Sequence, residues 1–153
     1  MQDPAVLGYL GRALSLELSA VQQYLALARL LELRGMPQAG GKFRHEAQEE
    51  MEHAERIIGR MLALGAAPNA SGLRPCRLDG ALPQLLKHAG DLETEIIGFY
   101  TQAVQYCVRT QDHENRVFFE TLLREEQSHG AEIDAWRQRI MAGQPIGEEP
   151  GHE

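Results

Sequence analysis

The sequence predicts an all-α protein: four helices packed as a bundle, arranged as two antiparallel hairpins joined by a long crossover. Three observations lead there. Leucine, alanine, glutamate, glutamine and arginine dominate, while aromatic residues make up only 6% of the 153 positions, a bias toward good helix formers. Apolar residues recur at steps of three and four along four stretches, the period of a helix with one buried face. The breaks between those stretches are short, long and short in turn, and short links force antiparallel neighbours.

The elements follow in order. Asp3-Pro4 is an N-cap with a first-turn proline, and Gly35 with Pro37 is a stop signal, so the first helix spans about 4–34. The second follows MPQAGG (36–41) and ends at Gly65. GAAPNASGLRPCRLDGAL reads as an extended connection. Its central part, residues 66–81, can reach ~53 Å at ~3.3 Å per residue, whereas a 25-residue helix is only ~38 Å long. The link can therefore run the full bundle and place the third helix beside the first pair with a crossover. The third helix spans about 83–110 and the fourth 113–142, giving one domain over 1–142. The remainder, GQPIGEEPGHE (143–153), carries three glycines and two prolines and reads as a flexible tail.

The totals exclude several functions. A net charge of −7 lacks the basic footprint that phosphate backbones require, so no nucleic acid is expected. It suits the attraction of cations. The start, MQDPAVLGYLGR, has neither the basic opening nor the cleavage site of a signal peptide. The longest charge-free run of the first helix, LSAVQQYLALA, is well short of the ~20 residues that span a bilayer. Cys76 and Cys107 lie far apart with no CxxC, which points to reduced structural thiols in a cytoplasmic protein.

The stripes that should be buried contain acids. The first helix reads Leu10, Leu14, Glu17, Val21, Tyr24, Ala28, Leu31, and the third Leu86, Gly90, Glu93, Ile97, Tyr100, Val104, Cys107. The fourth reads Phe119, Leu122, Glu126, His129, Ile133, Trp136, Ile140, and in the second Glu50 and His53 share a face with Ile57, Met61 and Leu64. A buried unpaired carboxylate is costly, and four at one level repel one another. No lysine or arginine stands near them in these stripes. Two divalent cations balance four carboxylates, and two imidazoles complete the donor set.

Spacing supports this independently. Glu17 to Glu50 and Glu93 to Glu126 both span 33 positions, each second glutamate is followed three later by a histidine, and each first glutamate seven later by a tyrosine. One shift of 76 relates the two sets, so the site should have two-fold character. Oxygen-rich donors with one nitrogen per metal suit iron or manganese better than zinc. Glutamates with a Glu-x-x-His pair on facing helices are the set known from ferritin-like carboxylate proteins.

At these residues the chain resembles the bacterioferritins. LELSAVQQY, RHEAQEEMEHAER and LREEQSHGAEID are similar to that family's motifs in three of its helices, and the similarity covers residues 4 to about 140. The resemblance implies a ferritin-like bundle with a ferroxidase centre, in which Glu17, Glu50, His53, Glu93, Glu126 and His129 hold two irons. Fe(II) would be oxidised there by O2 or H2O2 and stored as ferric mineral inside a homo-oligomeric cage, with a ferredoxin-type reductase for release. Tyr24 matches a tyrosine beside that centre. Met51, turned ~100° from Glu50, matches a methionine that ligates haem from each of two subunits, and Leu18, Gln22 and Leu25 lie on the side that would line that pocket. His45 and Glu49 match an inner-surface iron site, while Glu46, Glu52 and Glu55 read as solvated charge. Longer members continue into a fifth helix at the axes of a 24-subunit shell. The tail here departs from that pattern, which favours a 12-subunit cage. The competing reading is a small-oligomer di-iron oxidase or peroxidase resembling rubrerythrin, although the CxxC iron site of such proteins is absent.

Overall fold

A computed structural model describes residues 3–144. Its four helices are α1 (Pro4–Leu33), α2 (Pro37–Ala63), α3 (Leu82–Arg109) and α4 (His113–Met141), with no strand among the described residues. The Asp3 side chain accepts from the Ala5 amide at 2.8 Å, and Pro4 occupies the first turn, where its missing N–H costs nothing. Gly35 takes φ +78°, and the Met36 amide donates back to the Leu31 carbonyl at 2.8 Å, which closes α1.

The start of α2 differs from the sequence expectation. MPQAGG is not a linker: Pro37 stands in the first turn, and both glycines lie inside the helix. A Cβ on Gly40 would come within 2.8 Å of the Ala28 carbonyl oxygen. The glycine therefore lets α1 and α2 approach closely, a packing role that a local reading mistakes for a break. The stripe of α3 also differs. Gly90, Ile97 and Val104 are only half-buried, while Leu85, Ala89, Ile96 and Ala103 join Glu93, Tyr100 and Cys107 inside.

The crossover is held by α1. Ser15 Oγ donates to the Ser71 carbonyl at 2.7 Å and accepts the Ser71 amide at 2.9 Å. Ser19 Oγ accepts the Arg74 amide at 2.9 Å, and the Gln23 amide group pairs with both backbone groups of Arg77 at 2.8 Å. Three side chains one turn apart thus satisfy an extended backbone that no sheet supports. The segment runs alongside α1 in the same direction and delivers α3 antiparallel to it.

Cys76 and Cys107 are free. Burial pushes the Cys107 thiol up to about 11, which leaves it protonated and unreactive. Of the flexible tail expected for 143–153, residues 145–153 lie outside the described residues. Among the described residues no helix is long and apolar enough to cross a membrane.

Candidate metal centre

Each helix brings one carboxylate to the middle of the bundle. Glu17, Glu50, Glu93 and Glu126 are at most 1% exposed, and His53 and His129 are 3% and 6% exposed. Their donor atoms form two groups that share Glu50 and Glu126: Glu17 and His53 complete one, Glu93 and His129 the other. Within each group the atoms lie within 4.8 Å of one another. Glu50 and Glu126 are thus common to both groups, while Glu17 and Glu93 each belong to one.

The contacts cross between hairpins. His53 Nδ1 lies 2.8 Å from Glu126 Oε1, and His129 Nδ1 lies 2.7 Å from Glu50 Oε1. The two rings stack at 5.6 Å, with 7° between their planes. Tyr24 OH donates to Glu93 Oε1 at 2.5 Å, and Tyr100 OH donates to Glu17 Oε1 at 2.7 Å. Each hairpin's histidine and tyrosine therefore serve carboxylates of the other. Tyr100, in the buried stripe of α3, joins Tyr24 as a site residue, one that the family resemblance does not point to. The signal was there in its 76-residue relation to Tyr24.

The electrostatics show what is lacking. Burial raises Glu17 to about 7, with the nearby Glu126 charge adding to it. Burial and neighbouring acids hold Glu50 and Glu93 well above the usual carboxylate range. Burial also opposes charge on His53 and His129, but the hydrogen bonds to carboxylates win and lift them to about 10 and 9. For Glu126 burial is likewise overcome, here by the two histidines, and its carboxyl lies well below its ordinary value. Protons on three of the acids and on both imidazoles thus stand where metal cations could. The Oε2 atoms of all four glutamates are buried without a hydrogen-bond partner, an expensive condition for polar oxygens that a cation between them removes.

Glu46 corrects the sequence reading. It is 7% exposed rather than solvated, its Oε2 is unpartnered, and it lies 3.7 Å from His129 Nδ1. Burial lifts it to about 7. The step pattern Glu46, Glu50, His53, Ile57 would have found it, but the surrounding run of charges hid it. Glu52 and Glu55 are exposed as expected.

The Ferritin-like domain family model matches residues 7–142. A bacterioferritin of Rhodobacter capsulatus is 35% identical over 127 residues, covering 83% of this chain and 79% of that protein. One from Brucella melitensis is 31% identical over 147 residues, covering 96% and 89%. The chain belongs to the bacterioferritins. A solved Rhodobacter capsulatus bacterioferritin superimposes with a TM-score of 0.90 at 28% identity, over 99% of each chain. That protein was solved with a metal-free dinuclear site and with haem iron in a crystallographic special position.

The other residues matched to the bacterioferritin pattern lie outside the bundle core. Met51 and Leu25 are 42% and 40% exposed, large apolar side chains left facing outward. Gln22 is exposed and Leu18 half-buried. His45 Nε2 meets Glu49 Oε1 at 2.9 Å at the surface. Glu49 Oε2 turns the other way, onto His129 Nε2, so the pair expected as an inner-surface iron site is also connected to the centre. Glu46, Glu49 and His129 form a third cluster of donors, but His129 already belongs to the second group.

Proposed function

We propose that this bacterioferritin is a ferroxidase that stores iron. Fe(II) binds as substrate at two adjacent positions, one between Glu17, His53 and the shared acids, the other between Glu93, His129 and the same acids. The observation that carries this is the set of four buried, unpartnered carboxylate oxygens. Iron exchanges electrons with dioxygen or hydrogen peroxide, and the resulting Fe(III) is stored as mineral in a cage of many copies.

The chain's own groups handle protons and position. On metal uptake, His53 and His129 give up the protons at Nδ1, and Glu17, Glu50 and Glu93 lose theirs, so binding releases protons. Tyr24 and Tyr100 each occupy one oxygen of an unshared carboxylate. This leaves the Oε2 atoms of Glu93 and Glu17 for the metal and limits their rotation.

Anaerobic Fe(II) titration should saturate near two irons per subunit, followed by rapid oxidation on aeration. Absence of fast oxidation, or equal oxidation by Glu50→Ala, would sink the assignment. The cage reading is separable by native mass: a 12-subunit assembly is expected, 24 keeps storage but corrects the count, and a dimer removes storage.

The exposed Met51, with Leu25, Gln22 and Leu18, supports a haem between two subunits with one methionine thioether from each. A Soret band lost in Met51→Ala and kept in Glu50→Ala is the expected result. An unchanged spectrum in the methionine variant overturns it.

A further inference from the structure

Each imidazole of the centre has a second nitrogen, and both point away from the carboxylate cluster toward a cleft between α2 and α4. His53 Nε2 lies 3.2 Å from Glu125 Oε2, and His129 Nε2 contacts Glu49 Oε2. Neither glutamate belongs to the six donors around the two metal positions. Each directly precedes a shared acid, Glu49 before Glu50 and Glu125 before Glu126. The shift of 76 that relates the donors relates these two as well. The two-fold pattern therefore extends one layer outward, to residues with no need to match unless they perform the same task.

We propose that Glu49 and Glu125 are positioning residues, each accepting the Nε2–H of the facing histidine and thereby presenting its Nδ1 to the metal. This rests on the di-iron reading above and extends it. A neutral imidazole carries one proton, on either nitrogen. A carboxylate at Nε2 accepts and cannot donate, so it holds the proton there and leaves the Nδ1 lone pair free. It also sets the ring plane. Rotating a ring by half a turn about its Cβ–Cγ bond would put carbon Cδ2 where Nδ1 stands and carbon Cε1 against the carboxylate. Both hydrogen bonds would be lost together, so the inner and outer acids enforce the same orientation.

The two outer acids are themselves held differently. Glu125 is paired with the Arg56 guanidinium. Glu49 divides its oxygens, Oε1 to His45 Nε2 at 2.9 Å and Oε2 to His129. His45 thus acquires a role in steadying Glu49, whether or not it also meets iron.

Co(II) titration of the intact protein, read by its visible ligand-field spectrum, tests this without turnover. Wild type should take up two Co(II) per subunit. Glu125→Leu and Glu49→Leu should each weaken one of the two positions by about ten- to a hundred-fold. Glu125→Gln and Glu49→Gln, whose amide oxygen still accepts from Nε2, should recover much of that loss. Glu52→Gln removes a charge from the same cleft without touching an imidazole and should bind like wild type. Leucine variants no weaker than Glu52→Gln would overturn the proposal. So would glutamine variants as weak as the leucine ones, because charge alone would then explain the effect. Should the leucine variants not fold, a glutamine variant with wild-type affinity and spectrum still supports the proposal, and one with a full loss overturns it. Wild-type protein that binds no Co(II) at this centre would defeat the di-metal reading itself, a different outcome from either.

Discussion

The two hairpins, α1 with α2 and α3 with α4, agree where they face each other and differ where they do not. Glu17, Tyr24, Glu49, Glu50 and His53 have counterparts of the same type in Glu93, Tyr100, Glu125, Glu126 and His129. Around it four buried apolar pairs also match, Leu10 with Leu86, Ala13 with Ala89, Phe43 with Phe119 and Ile57 with Ile133, while many other positions differ. Gly40 corresponds to Arg116, Glu46 to Leu122, Met51 to Gln127 and Leu25 to Thr101. The comparison teaches that the repeat belongs to the metal centre and the core packed around it, where both halves meet the same surroundings. The remaining positions meet different surroundings: a tightly packed partner helix at buried Gly40 and an exposed apolar surface at Met51 and Leu25.

The largest expected effect acts on the buried acids and histidines in and beside the shared layer. In metal-free protein Glu17 and Glu46 have pKa values of about 7, above the ordinary 4.5, and His53 and His129 of about 10 and 9, above 6.5. The folded state holds these protons more tightly than the unfolded chain. Their contribution is full below the unfolded values and is lost as pH rises through the folded ones. Glu126 runs the other way, its contribution complete above 4.5 and lost in acid. Between pH 5 and 10, thermal unfolding of the metal-free protein should therefore fall steadily in temperature. Metal-loaded protein should show the opposite slope over the lower part of this range, because metal and protons compete for the same atoms. A flat metal-free profile would mean the inner layer is not charged as described.

The next effect separates the hairpins. Gly40→Val places a side chain against the Ala28 carbonyl at 2.8 Å and Glu32 Cγ at 3.1 Å. It should destabilise by about 3 kcal/mol or more, since backbone cannot yield as a side chain can. At the corresponding position Arg116 makes only a surface ion pair with Glu120 at 2.9 Å, and Arg116→Ala should cost less than about 1 kcal/mol. Chemical denaturation of both variants measures the contrast, and equal losses would contradict it.

The smallest effect sharpens the equivalence. Tyr24→Phe and Tyr100→Phe each remove one donor to a buried unshared glutamate, at a cost of about 1–3 kcal/mol in the metal-free protein. The two losses should agree within about 0.5 kcal/mol and add with little coupling if the tyrosines serve separate metal positions. Denaturation of the two single variants and the double variant decides this.

Much of this was legible in one dimension because burial and chemistry share the helical period. An acid recurring in an apolar stripe is visible without coordinates, as Glu17 and Glu93 are. Two kinds of residue escaped. Gly40 looks like a breaker locally, and only the partner backbone beside it reveals its use. Glu46 sits in a run of charges where composition cannot tell inward from outward, and the His129 it meets lies on another helix. The rotation of α3, which buries Ile96 rather than Ile97, escaped for a related reason. Neighbouring apolar positions offer two equally good stripes, and packing chooses between them.

The crossing of the hydrogen bonds has a consequence for how the molecule holds together. Neither hairpin owns a complete set of donors, and the only covalent tie between them is the extended segment pinned at Ser15, Ser19 and Gln23. Cargo entering the bundle therefore acts as a rivet between two halves that otherwise share only their packed core and these few hydrogen bonds. A chain cut within that segment should stay assembled when loaded and come apart more readily when stripped.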